Sequence, residues 1–322
     1  MLVHRKRLLY IGLALLGVTF AFAAGFNLFG ESRDYASYES FFEELRPKSP
    51  TEYVRFEPGF VLAAWVSKFV LFIQLPAYLF ALMSVALVVK SSVFMKTTYP
   101  TLTMLFYLAN WFPLHEYTQV RVAMATSLLF LSFNYLFQGK RTWAAATFAL
   151  AASFHGSALF AAAITLIAHS MSKYRMWVIA PALVGAVVLL QVLLTGVLLP
   201  VLQGINPLVV AYINNSSEFE NPTILSGNNI LTILLLALIA LGSGLKTVRH
   251  RTLFLVAVQG LVVFIVFKDI PVLAHRLKEI ALVFLTLLVF DHPITAKRVP
   301  QLVAAVGLSA WTLYKSISLG II

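Results

Sequence analysis

Residues 5–29 read RKRLLYIGLALLGVTFAFAAGFNLF: three basic side chains, then a run from Leu8 to Phe29 without a single charge. A run of 18 or more such residues is what a hydrocarbon core about 30 Å thick requires of a crossing helix. Ala21-Phe22-Ala23 imitates a cleavage site, but the run is too long for a signal peptide and is read as an uncleaved first helix.

The same texture extends outward through the 322-residue chain, which is 60% hydrophobic and 11% charged, with a mean hydropathy of +0.87. Soluble domains carry about 25% charged residues. Backbone groups in lipid must be satisfied internally, by helices or a closed barrel. These runs far exceed the ~10-residue alternating strands of a barrel. The fold class is therefore all-α, a polytopic transmembrane helical bundle in one integral membrane domain, residues 1–322, with about 10–11 membrane helices. No repeat is evident, which disfavours a secondary transporter. The absence of cysteine excludes thiol chemistry and disulfides.

Charge placement orients the bundle. Arg5 to Arg7, Lys90 with Lys96, Lys140-Arg141, Lys173 with Arg175, Lys246 with Arg249 and Arg251, and Lys297-Arg298 are purely basic, and so face the cytoplasm. This placement, rather than nucleic-acid binding, explains the net charge of +11. Twelve of the 13 acids fall instead in 31–57, 115–121, 218–220 and 268–279, which alternate with the basic clusters as outer segments. The N-terminus is then cytoplasmic. Helices are expected at 8–29, 75–89, 97–114, 118–137, 177–202, 228–244, 252–267, 277–291 and 300–320, with outer loops at 30–57 and 204–228. Gly59 to Phe72 should re-enter and turn near Gln74 to Pro76. Residues 142–169 start and finish beside cytoplasmic clusters, so they should form a short hairpin with its tip at His155-Gly156, below the outer surface.

Four groups of residues could carry chemistry. In the first outer loop, Tyr35, Tyr38, Phe41, Phe42 and Leu45 fall opposite Glu39, Glu43 and Glu44, an amphipathic helix ended by Pro47 and Pro50. Glu57 then stands before Pro58, near Arg33 and Arg55. It is either an anion at a helix start or a general base at the boundary of polar loop and apolar helix. The second group is His115, Glu116, Tyr117, Gln119 and Arg121. Arg121 lies one turn inside an apolar helix, where an arginine either snorkels or is functional. The third is His155 at the hairpin tip, a packing residue or a catalytic one. The fourth is His275-Arg276, whose guanidinium can hold an anion bidentately. Arginines without a metal-ligand motif suit a lipid-linked phosphate or pyrophosphate.

At these residues the chain resembles the EpsG-like branch of the Wzy bacterial polysaccharide polymerases. The likeness lies, in order, in Gly30-x-x-x-Asp34-x-x-x-Tyr38 with Glu57-Pro58-Gly59-Phe60, in Gln119-Val120-Arg121-Val122-Ala123, in Ala152 to Ala158 around His155, and in His275-Arg276-Leu277. Where the family often has an arginine before the loop glycine, this chain has Phe26-Asn27-Leu28, with Arg33 the nearby substitute. The resemblance implies a metal- and cofactor-independent glycosyltransferase of the bacterial inner membrane, with its active site facing the periplasm. Its substrates would be polyprenyl-pyrophosphate-linked glycans, and its partners the bilayer and a chain-length regulator or flippase of the same pathway. Arg121 and Arg276 would neutralise the departing pyrophosphate, and Glu57 or His155 would take the proton. Asp34, Arg33 and Arg55 would hold sugar hydroxyls, with Tyr38, His115, Gln119 and His275 beside the substrate. A glycan ligase with another acceptor and a flippase without bond chemistry are the alternatives.

Overall fold

The computed structural model describes residues 2–47, 56–174, 179, 189, 223, 225–242, 245–268 and 270–321. The helix expected at 177–202, most of the loop 204–228, and Arg55 lie outside the described residues. All regular structure among the described residues is helical. Among the described residues, four helices are long and apolar enough to cross a membrane: His4–Gly25, Leu75–Phe94, Val120–Phe137 and Val248–Val266. The expected all-α polytopic bundle is what forms.

The chain divides into two compact units, Met1–Ala162 with Val289–Ile322, and Ala163–Leu288. In the first, α1 (Leu2–Gly25) packs on α4 (Leu75–Phe94), with Gly17 against Leu87 and Gly25 against Phe80. That pairing makes the two helices antiparallel. A Cβ on Gly25 would stand 2.8 Å from the Phe80 backbone, so only glycine permits this approach. After α1, Asn27 and Gly30 take positive φ and turn the chain into the loop. The amphipathic helix appears as α2 (Tyr35–Glu44), with Tyr38, Phe41 and Phe42 buried. Helix α3 (Pro58–Phe69) is 12 residues long, roughly 18 Å at 1.5 Å per residue and too short to span. A turn through Phe72, at φ 54°, leads into α4.

The cytoplasmic cluster of Lys90 with Lys96 needs correction. Helix α4 runs on to Phe94, so Lys90 lies inside it, fully buried and paired with Glu116 at 2.5 Å. The sequence Ser91-Ser92-Val93-Phe94 lets the helix continue, and the buried carboxylate replaces water as the lysine's partner. The helix expected at 97–114 is also divided. Helix α5 (Pro100–Asn110) gives way to a π-helical turn, Pro113–Thr118, because Pro113 has no N–H to continue the ladder. Helices α6 (Val120–Phe137) and α7 (Arg141–Phe154) pack closely, with Ser132 Oγ donating to Ala144 O at 2.6 Å. His155, extended at φ −159°, and Gly156 separate α7 from α8 (Ser157–Met171). After Val289, a 3-10 turn leads into α13 (Val299–Ser318), which joins α5 where Asn110 Nδ2 donates to Ser309 Oγ at 2.7 Å.

The second unit holds α9 (Gly227–Leu241), α10 (Val248–Val266) and α11 (Pro271–Leu282), followed at its end by α12 (Leu285–Val289). Ser226 and Thr247 cap α9 and α10 through their hydroxyls. Helix α11 begins at Pro271, six residues before the expected start at 277, so His275 and Arg276 lie within it.

Candidate functional site

Pro58 opens α3 at its first turn and leaves Glu57 extended, at φ −69° and ψ 146°. The Glu57 side chain makes no cap bond to its own helix. Instead its oxygens face two other elements. Arg121 Nη1, from the first turn of α6, lies 2.5 Å from Oε2, and His155 Nδ1 lies 2.8 Å from Oε1. The Gly156 N–H, at the start of α8, donates to Oε1 at 3.1 Å. Gly59 permits this meeting, since a Cβ there would stand 2.7 Å from Ser153 O on α7.

Burial opposes ionisation of Glu57. The His155 hydrogen bond, the Arg121 charge and the Gly156 N–H outweigh it and hold the carboxyl down to about 2. An ionised carboxylate only accepts, so Nδ1 of His155 donates in this bond. The three side chains remain partly open, at 19% for Arg121, 21% for Glu57 and 10% for His155. Behind them, the Arg121 guanidinium lies 4.7 Å over the Phe56 ring and 6.0 Å from Phe60. Tyr38 is buried against Phe56 and Phe60. Burial pushes its phenol up to about 12, partly offset by the Arg121 charge.

The other candidates are placed differently. Asp34 is the N-cap residue of α2, and Gln119 is half-exposed where the π-turn meets α6. The Arg33 guanidinium donates at 3.5 Å to Leu319 O at the end of α13. His115, expected beside the substrate, is fully buried, stacked on Trp111, with neither ring nitrogen hydrogen-bonded. In the second unit, His275 stands edge-on to Phe264 at 5.1 Å, and Lys278 of the same helix donates to Asn229 Oδ1 at 3.2 Å.

A family model matches residues 10–318. The chain belongs to the EpsG family. The match takes in every element of the first unit that builds the Glu57 cluster. EpsG membership and the apolar helices make this a membrane protein of polysaccharide-polymerase type. Comparison with curated proteins and with solved structures gave no match.

Sequence reasoning placed Lys90 only in a cytoplasmic cluster and gave no role to Phe56, which lies under the Arg121 guanidinium. Lys90 carried a signal, since a lysine followed by Ser-Ser-Val-Phe need not end an apolar helix.

Proposed function

We propose that this EpsG-family chain joins polyprenyl-pyrophosphate-linked repeat units into polysaccharide on the outer face of the bacterial inner membrane. The observation that carries the reading is the Glu57 carboxylate, which gathers Arg121 from α6 and His155 with Gly156 from the break between α7 and α8. In the reaction, a sugar hydroxyl of one unit attacks the anomeric carbon of the other glycan. The C–O bond to pyrophosphate breaks, and the hydroxyl proton passes to His155 Nε2. A carboxyl held down to about 2 is too weak a base for this step near neutral pH. Glu57 therefore orients the imidazole and offsets the charge it gains. Arg121, with Nη1 on Glu57, neutralises the charge of the departing pyrophosphate. Arg276 is proposed as an anion-holding residue of the second unit.

The test is ladder formation by purified protein from one lipid-linked oligosaccharide. His155→Ala and Arg121→Lys should each lower the rate by about 10²-fold or more while the protein stays folded in the membrane. A single coupling product without a ladder would favour a ligase, and substrate translocation without new bonds a flippase. Wild-type ladders from both variants would remove the cluster from the chemistry.

A further inference from the structure

A second polar group, which the reaction does not use, joins the π-turn to α4 and α5. Lys90 and Glu116 are both 0% exposed and 2.5 Å apart. The Tyr107 hydroxyl lies 2.8 Å from each Glu116 oxygen, and the Lys90 ammonium sits 4.7 Å over the Tyr107 ring. Lys90 also donates to Ala123 O at 3.0 Å. An ion pair buried among apolar helices is commonly no more stabilising than an apolar pair of equal volume, and ionisable groups there are functional by default. Stability alone gives no reason for this one.

Its attachments do. Glu116 lies five residues before Arg121, and Ala123 two residues after it. One ammonium thus grips the chain on both sides of the arginine, across the junction where the π-turn becomes α6. That junction is irregular backbone, with Gln119 at φ −112° and ψ 66°, and the ammonium ties its two sides together from outside. Misplacement of a charge-stabilising group by about 1 Å can cost about 10²-fold in rate.

We infer that Lys90 and Glu116 are positioning residues that fix the Arg121 guanidinium against Glu57, an inference that rests on the role proposed above for Arg121. The double substitution Lys90→Met with Glu116→Gln removes both charges and keeps their volume. In the ladder assay kcat should fall about tenfold or more, with KM within about twofold and an unchanged melting temperature. Added to Arg121→Lys, it should cost less than about threefold more, because residues acting as one unit do not add. A wild-type kcat in the double variant, or a loss that multiplies fully with that of Arg121→Lys, overturns the inference. If the double variant does not accumulate, Tyr107→Phe decides. It keeps the ion pair but frees Glu116, and kcat should fall about threefold or more at an unchanged melting temperature; a wild-type kcat there rejects positioning. Full activity in Arg121→Lys sinks the role of Arg121 itself. An inactive Arg121→Lys beside a fully active double variant sinks only the positioning.

Discussion

Glu57 stands where a helix-start anion belongs, yet both its oxygens turn to other elements. If it served only the dipole of α3, Glu57→Gln would cost about 1 kcal/mol or less and leave turnover intact. As the orienter of His155, its loss should lower ladder formation by about 10²-fold. A pH-dependent signature accompanies this. The folded carboxyl lies near 2, against an ordinary 4.5. Its stabilisation is therefore complete above the ordinary value and fades as pH falls towards the folded one. Melting of wild type and Glu57→Gln, compared between pH 7 and 3, should show a gap that is constant to about pH 5 and then narrows. A gap already closed at pH 6 would mean the carboxyl is not held down. Each of these residues was visible in the sequence as a polar group out of place. Their convergence was not, because the partners of Glu57 lie 64 and 98 residues away, and no local spacing encodes such a distance.

Helix α3 shows how an element with few residues is held in place. Its Lys68 donates to the Phe42, Glu43 and Leu45 carbonyls, closing the C-terminal end of α2. Trp65 Nε1 reaches Pro47 O at 3.2 Å, and the Tyr78 hydroxyl donates to Phe60 O at 3.1 Å. At its other end Gly59 lies against Ser153, so Gly59→Ala would place a methyl 2.4 Å from Ser153 Oγ and 2.7 Å from the backbone oxygen. The overpacking should cost about 1–3 kcal/mol and separate Glu57 from His155. Ladder formation should then fall in step with melting temperature, and a variant that melts and polymerises like wild type would show that α3 and α7 tolerate the gap. The periodicity of aromatic residues made α2 legible, and the basic clusters made the 142–169 break legible. The π-turn was not, since Pro113 inside an apolar run reads equally well as a kink in one long helix.

At the scale of the whole molecule, the orientation proposed from charge alternation can be tested directly, because the chain has no cysteine to remove. Ser40→Cys, exposed on α2, should react with an impermeant thiol reagent applied to intact cells, and Thr142→Cys, exposed at the start of α7, should not. Reaction at Thr142 would invert the assignment. The contact of Arg33 with Leu319 bears on the same question. Helix α1 carries the chain from Leu2 to the loop that holds Arg33, and α13 delivers Leu319 to that loop. The two ends of the described chain thus lie on opposite faces, and the crossings between them must sum to an odd number. A parity of this kind is read by reporters: alkaline phosphatase fused after Leu319 should be active, and the same enzyme fused ahead of α1 silent.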